Sequence, residues 1–181
     1  MSKDLMVGRN IISLMGEIND ESAEAVVKHI IQINNNPKEK FIQMIINSCG
    51  GMCTSGFAII DMMEWSEKPV YTTGLGMIAS MGLMISMAGA KGKRLITPRT
   101  SILAHRFSSG RYGNYSQLIA TRKEEDMLHK RIVDHMLRHS KIGDEKELNK
   151  TLLKDVDCWL TPEEAVEYGV ADKIQKGYNE K

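Results

Sequence analysis

The sequence alternates between short apolar segments rich in β-branched residues and longer segments whose apolar residues recur at helical spacing. Residues 41–46, 70–73 and 102–104 are short apolar runs of the kind that form buried strands. Between the first runs lies a helical face made by Ala23, Val26, Val27, Ile30 and Ile31. Strands that alternate with helices predict an α/β layered domain in which most strand pairs are parallel.

The same reasoning extends to the rest of the chain. Further helices are predicted over residues 57–65, 81–88 and 115–139, the last of them long and charged. Further strands are predicted over residues 9–14 and 170–174. Asp144 with Glu147, and Thr161 with Glu164, have the spacing of capping boxes and predict two short helices. No repeat or linker-like run divides the chain, so residues 1–181 are interpreted as one domain.

Composition excludes several classes of protein. Lys and Arg number 24 against 23 Asp and Glu, so no basic excess indicates a nucleic-acid partner. The longest apolar stretch, residues 77–90, is interrupted by serine and glycine and is too short to span a bilayer. The N-terminus has no apolar signal-peptide core, and Cys49, Cys53 and Cys158 have no disulfide-framework spacing. The sequence therefore predicts a cytoplasmic protein with free thiols and no membrane or nucleic-acid partner.

Ser80 lies where a predicted strand and a glycine-containing turn lead into a predicted helix. The free backbone N–H groups at a helix start stabilise a nearby negative charge, which a nucleophilic serine generates when it attacks. The placement is like that of a nucleophile elbow, although the G-x-S-x-G pattern is absent. The alternative is an ordinary helix cap, for which serine is a common residue.

His105 follows the strand at 102–104, where a histidine can face a site at the edge of the sheet. The alternative is a structural histidine without a chemical role. His135 and His139 have the i, i+4 spacing that metal sites use. No third ligand is evident near them, so a solvated helix face is favoured and no metal is predicted.

Asp157 stands just before the apolar Cys158-Trp159-Leu160 and could orient a histidine, or could be a surface turn residue. The glycine pair Gly50-Gly51 follows a predicted buried strand, where it lets the backbone approach a ligand closely or simply makes a tight turn. Cys49 and Cys53 flank that pair, and two thiols without partners favour packing over metal binding.

The motifs NSCGG, GMIASMG, AGAKGKR, LAH and DCWLTPEEAVEYGVAD, in this order, closely resemble the ClpP family of Clp protease proteolytic subunits. The resemblance extends from about Arg9 to Ile174. It implies a crotonase-like fold of repeated ββα units with a protruding handle helix at about 115–140. It also implies a serine endopeptidase that cleaves peptides and unfolded proteins without a cofactor, inside two stacked heptameric rings of identical subunits.

The resemblance also implies roles for individual residues. Ser80, His105 and Asp157 match the catalytic triad of the family, and the backbone N–H groups of Gly51 and Met81 match its oxyanion hole. Two segments match strands that pair with an extended substrate: Gly51, Met52, Cys53 and Thr54, then Phe107, Ser108, Ser109 and Gly110. Three residues stand at the positions of the cleft where a hexameric ATPase docks: Gln43, Ile45 and Trp65. Ile45 and Trp65 keep the apolar character of the family there, but Gln43 replaces a usual aromatic residue.

The sequence departs from the family pattern in four places. The N-terminal axial loop that helps engage the ATPase is essentially missing, which makes the ATPase partner an open question. Cys49 replaces the usual proline, and Arg106-Phe107 replace the usual Gln-Pro after the histidine. Val156 replaces the arginine that usually precedes the triad aspartate. None of these changes removes a catalytic group.

Two other functions compete with the leading interpretation. One is a regulatory or structural subunit that assembles with a related, active ClpP, which the intact triad positions disfavour. The other is an acyl-CoA enzyme of the related crotonase fold, for which the sequence shows no CoA-binding signal.

Overall fold

The computed structural model describes residues 10–177, and within this range strands and helices alternate along the chain. The strands are β1 (Ile11–Ile18), β2 (Ile42–Gly51), β3 (Val70–Ala79), β4 (Arg94–Ile96), β5 (Ser101–Ala104), β6 (Cys158–Leu160) and β7 (Lys173–Ile174). The helices are α1 (Asp20–Asn34), α2 (Cys53–Trp65), α3 (Met81–Met87), α4 (Tyr115–His139), α5 (Glu145–Thr151) and α6 (Pro162–Glu167). The first nine residues, which include the region of the expected axial-loop difference, lie outside the described range.

The strands form one sheet in the order β1-β2-β3-β4-β7, and every pair along this path is parallel. β5 also pairs with β3 in parallel, and β6 adds to β5 as the antiparallel strand. The predicted α/β class with mostly parallel pairing is therefore confirmed. Buried and half-buried residues alternate along most of β2 and β3, so one face of the sheet is fully covered and the other only in part.

The first helix, α1, begins with Asn19 as its N-cap. The Asn19 side chain accepts a hydrogen bond from the Ser22 backbone N–H at 3.0 Å, and the Ser22 hydroxyl accepts from the Asn19 N–H at 2.9 Å. The prediction that Ile31 belongs to the buried face is wrong. The Ile31 side chain is 45% exposed, and Ile33 is buried instead. The buried face recurs at residues 23, 26, 30 and 33, a narrower stripe than the sequence pattern predicted.

Two strands, β2 and β3, continue through glycines that were predicted to lie beyond their ends. β2 includes the pair Gly50-Gly51 as its last two residues. β3 passes Gly74 and Gly76 and reaches Ala79, with Gly76 at a φ of +66°. The Asn47 side chain accepts a hydrogen bond from the Met77 N–H at 3.0 Å and so supports the irregular pairing of β2 with β3. The predicted turn after Thr73 is therefore wrong, and the longer strand places Ser80 directly at its end. β4 and β6 were not predicted because each has only three residues.

α4 has the bounds predicted from the sequence, yet its buried residues all lie near its C-terminal end. Its earlier apolar side chains are exposed, namely Leu118, Ile119 and Met127. This part of the helix therefore presents apolar surface outside the core, as a handle helix would. In the described range no helix is both long enough and apolar enough to cross a bilayer.

The C-terminal end of α4 is fixed to the sheet by Arg94 of β4. Arg94 is 6% exposed and binds both carboxylate oxygens of Asp172, at 2.6 and 3.0 Å. It also donates a hydrogen bond to the backbone carbonyl of His139. Partial burial acts to raise the pKa of Asp172, but the hydrogen bonds and charge of Arg94 outweigh it and hold that pKa below its ordinary value.

Candidate active site

Ser80 occupies a strained turn between β3 and α3. Its φ of 54° and ψ of −124° make it the one non-glycine residue with positive φ in the described chain. A backbone in such a region costs on the order of 1–3 kcal/mol and persists only where the surroundings impose it. Here the Ser80 N–H donates to the Leu103 carbonyl at 3.0 Å, and the Ser80 carbonyl accepts from Leu83 and Met84. A strained serine between a strand and a helix is the geometry of a nucleophile elbow.

The helix-cap alternative for Ser80 is wrong. Ser80 stands at the N-cap position of α3, but its side chain makes no capping hydrogen bond. A serine selected as a cap would accept a hydrogen bond from an N–H of the first turn. The hydroxyl is therefore available for chemistry.

Gly50 packs directly against Ser80. A Cβ added to Gly50 would lie 2.6 Å from the Ser80 Cβ, 2.9 Å from the Ala79 carbonyl oxygen and 3.1 Å from the Met81 nitrogen. Its φ of +94° also favours glycine. Gly50 thus lets the end of β2 approach the serine. Close approach of the backbone was one of the two roles that the sequence suggested for the glycine pair.

His105 and Ser80 line the same small cavity. The remaining walls of the cavity are mainly apolar: Cys53, Met81, Met84, Ala104, Phe107, Ile132 and Met136. His105 is half-buried at the end of β5. The structure therefore brings together the serine and the histidine, 25 residues apart in the sequence, beside an apolar surface suited to a hydrophobic side chain.

Asp157 directly precedes β6, the strand that pairs with β5, and His105 directly follows β5. Ala104 pairs with Cys158 in this antiparallel ladder, so one further step of the register sets His105 opposite Asp157. Asp157 is exposed and does not line the cavity. Within residues 10–177 no hydrogen bond joins Ser80 to His105 or His105 to Asp157. Ser80 and His105 therefore share a cavity, while Asp157 as the third member of a triad stays a prediction.

The two expected oxyanion-hole residues lie at the ends of neighbouring elements. Met81 is the first residue of α3, so its N–H has no acceptor within the helix. Gly51 ends β2 with a φ of +149°, and a Cβ there would lie 2.1 Å from the Ile18 carbonyl oxygen. No larger residue fits at position 51, and the adjacent Met52 N–H donates to the same carbonyl at 2.8 Å.

The expected substrate-binding segments differ from the strands that the resemblance implied. Met52 is the N-cap of α2, and Cys53 and Thr54 lie in its first turn. Residues 107–110 have no regular secondary structure. Strand character is therefore absent from residues 52–54 and 107–110 in the single chain, and pairing with a peptide stays a prediction. Phe107 and Cys53 nevertheless face the cavity of Ser80.

Cys53 is the other potential nucleophile of the cavity. Burial raises the pKa of its thiol, and the nearby charge of Glu124 raises it further. A thiol with a raised pKa is little ionised at neutral pH, and the thiolate is the reactive form. Cys53 is therefore a wall of the cavity and does not compete with Ser80.

The residues expected at the ATPase cleft lie on β2 and at the end of α2. Gln43 and Ile45 are half-buried, and the Gln43 amide donates to the Thr73 hydroxyl at 3.1 Å. Trp65 is 81% exposed, which is unusual for a large aromatic residue and typical of a binding surface. Their role in docking stays a prediction.

The prediction that His135 and His139 lie on a solvated helix face is wrong. His135 is 5% exposed, and its ring Nε2 lies 2.9 Å from the Met84 carbonyl oxygen. Burial, followed by the charge of His139, lowers the pKa of His135 to about 4. The sequence pattern missed this because the C-terminal end of α4 packs on α3, unlike the rest of that helix.

Comparison with known proteins gives a consistent result. A family model described as Clp protease matches residues 2–177. An ATP-dependent Clp protease proteolytic subunit 2 from Treponema denticola is 36% identical, over 91% of this chain and 81% of the relative. ATP-dependent Clp protease proteolytic subunits from Deinococcus radiodurans and Ligilactobacillus salivarius are 36% and 33% identical, over 91% and 92% of this chain and 79% and 83% of the relatives.

Proposed function

The chain belongs to the Clp protease family and is a serine peptidase, and we propose that Ser80 is its nucleophile, His105 its general base and Asp157 the residue that orients His105. The observation that best supports this assignment is the strained backbone of Ser80, whose side chain makes no capping hydrogen bond. A strain of this kind is retained where it serves a mechanism.

The proposed reaction follows from the placement of these groups. His105 accepts the proton of the Ser80 hydroxyl while Ser80 Oγ attacks the scissile carbonyl carbon. The resulting oxyanion accepts hydrogen bonds from the N–H groups of Gly51 and Met81. His105 then donates its proton to the leaving amine. Water, activated by the same histidine, hydrolyses the acyl-serine and releases the second product.

The loop before β6 has to hold Asp157 against His105, and Arg106 supports it there. The Arg106 Nε donates to the Leu153 carbonyl at 2.8 Å, and the guanidinium lies 3.4 Å from the Asp155 carboxylate. Arg106 stands directly after His105, so one residue connects the histidine strand to the aspartate loop. Val156, which replaces the arginine usual in the family, offers no charge and is 71% exposed.

We also propose that the subunit works in an assembly with an ATPase partner. Its relatives are named as proteolytic subunits of an ATP-dependent protease, a name that implies an assembly with other subunits. The exposed apolar residues Leu118, Ile119 and Met127 of α4 suit a contact between two stacked rings of seven subunits. Trp65 suits the docking of an ATPase segment, because exposed aromatic residues often anchor such contacts. Peptides and unfolded proteins would be the substrates, cut beside large apolar side chains that fit the Ser80 cavity.

Labelling with a fluorophosphonate tests the proposed chemistry. The reagent phosphonylates only a serine activated by a working base, so a peptide map of the labelled protein should show the adduct at Ser80. Modification at another serine would contradict the assignment of the nucleophile. Failure of every serine to react, in a folded and assembled sample, would favour a regulatory subunit instead.

Replacement of Gly50 by alanine is expected to lower peptidase kcat/KM by about a hundredfold. The new Cβ would push Ser80 out of position by up to about 1 Å, and a misplaced nucleophile reacts more slowly. The left-handed φ adds a loss of about 1–2 kcal/mol in the free energy of unfolding. Hydrolysis of a fluorogenic peptide and thermal unfolding measure the two effects.

Gly92→Ala is the matched control for this prediction. Gly92 has a φ of +82° but no atom within 4 Å of an added Cβ. Gly92→Ala should therefore lose only the roughly 1–2 kcal/mol that the left-handed φ costs, and should keep its activity. Equal activity losses in the two variants would show that backbone strain, and not contact with Ser80, explains the result at position 50.

A further inference from the structure

A cluster of three potential metal ligands joins α2 to the C-terminal end of α4, away from the cavity of Ser80. Glu64, His135 and His139 each offer one ligand atom, and these atoms lie within 4.8 Å of one another. His139 Nε2 is 3.6 Å from a carboxylate oxygen of Glu64. Glu64 is the third ligand that the sequence pattern of His135 and His139 alone did not reveal.

The hydrogen bond of His135 fixes which of its nitrogens could bind a metal. The Met84 carbonyl oxygen can only accept, so the nearby Nε2 must be the donor and carry the proton. The lone pair of the neutral ring is then on Nδ1. A backbone carbonyl that holds the second ring nitrogen in this way is the usual outer contact of a metal-bound histidine.

His139 supplies an independent observation. Its Nε2 is buried and has no hydrogen-bond partner within the described residues. Buried side-chain nitrogens are nearly always partnered. The carboxylate of Glu64 lies 3.6 Å from this nitrogen, just beyond hydrogen-bond distance, so the two potential ligands face each other without a direct hydrogen bond. This nitrogen faces Glu64, and the ring of His139 lies 4.5 Å from the ring of His135 between centroids.

We propose that Glu64, His135 and His139 bind a divalent transition metal ion, of which Zn²⁺ fits the ligand set best. Two imidazoles and one carboxylate form a known zinc ligand set, with water in the fourth position. Bonds of about 2.0–2.1 Å in tetrahedral geometry set ligand atoms about 3.3 Å apart, close to the observed 3.6 Å between His139 and Glu64. Small side-chain rotations would close the remaining distances. The bound ion would join α2 to α4 and, through the Met84 carbonyl, to α3.

Two arginines near the cluster are the competing partners of Glu64 and His139. Arg138 Nη1 lies 3.6 Å from the Glu64 carboxylate, but its side chain is 64% exposed and free to turn into solvent. An exposed ion pair of this kind adds little stability, so the ion would displace it readily. Arg94 is already engaged by both carboxylate oxygens of Asp172 and by the His139 backbone carbonyl.

Titration of the untagged, metal-free full chain with Zn²⁺ in a calorimeter tests the proposal. We expect one ion per chain, with an affinity that falls by at least about tenfold in both Glu64→Gln and His139→Ala. His129→Ala is the matched control, because His129 is a half-exposed histidine on the same helix outside the cluster. Its affinity should equal that of the unchanged protein. Glu64→Gln keeps the test valid if His139→Ala fails to fold, since Glu64 is exposed.

X-ray absorption of the zinc-loaded protein separates this site from binding by thiols. The proposed site predicts only nitrogen and oxygen neighbours, at about 2.0–2.2 Å, whereas Cys49 or Cys53 would add sulfur at about 2.3 Å. Sulfur coordination, the absence of one-to-one binding, or an affinity unchanged in Glu64→Gln and His139→Ala would each overturn the proposal.

Discussion

Ser80→Ala is expected to reduce peptide hydrolysis by about a million-fold while leaving the fold and the assembly intact. Removal of the nucleophile from a serine peptidase has an effect of this order, since the remaining groups only bind and polarise the substrate. The apolar cavity, Gly51 and Met81 are unchanged by this substitution, so substrate binding should persist.

The fold should survive because the Ser80 side chain makes no capping hydrogen bond. Alanine at position 80 has the same steric difficulty with a φ of 54° as serine, so the strain is unchanged. Ser80→Gly relieves that strain and should raise the free energy of unfolding by about 1 kcal/mol, although it is equally inactive. Ser80→Gly is thus expected to increase stability while it abolishes activity, as substitution of a strained catalytic residue should.

Ser86→Ala is the matched control for the loss of activity. Ser86 is a buried serine within α3, and it lies outside the cavity of Ser80. Hydrolysis of a fluorogenic peptide by the two variants, with denaturant unfolding of each, measures both effects. Normal hydrolysis by Ser80→Ala would refute Ser80 as the nucleophile, and unfolding of that variant would refute the claim that its hydroxyl has no structural role.

The long elements could be predicted from the sequence because local patterns determine them. α4 has the predicted bounds, since a capping asparagine at 114 and a long amphipathic run are local signals. β3 was predicted too short, because Gly74 and Gly76 are usual turn residues. The strand continues because its later residues pair with β5 and because the Asn47 side chain binds the backbone of Met77. These contacts join residues 24 or more positions apart in the sequence.

The sequence indicated that Ser80 lies in a turn between a strand and a helix, but it did not predict the backbone conformation of Ser80. The alternation of strand and helix indicated the turn, but a φ of 54° at a non-glycine residue depends on the carbonyl of Leu103 in another strand. The burial of His135 likewise depends on how the end of α4 packs on α3. Contacts between distant segments have no local sequence signal, so both features required the structure.

Asp157→Asn is expected to lower kcat by about ten-thousandfold, because an asparagine no longer favours the histidine tautomer that can accept the serine proton. Ala104 pairs with Cys158, so we expect the next residues of these two strands, His105 and Asp157, to lie opposite each other in the active enzyme. Asparagine has nearly the same shape as aspartate, so only the hydrogen-bonding character at position 157 should change. KM for a short peptide should change little, since Asp157 does not line the cavity.

Asp155→Asn is the matched control, because it removes the same charge from the same loop two residues away. Asp155 is 91% exposed and makes an ion pair with Arg106 at 3.4 Å, a contact worth at most about 1 kcal/mol. A small activity loss in Asp155→Asn beside a large one in Asp157→Asn would identify Asp157 as the residue that orients His105. Similar losses in both variants would instead indicate that the charge of the loop matters, and not a specific contact with the histidine. Near-normal kcat in Asp157→Asn would contradict the assignment of Asp157 to the triad. It would show that this exposed carboxylate does not contact His105 during catalysis.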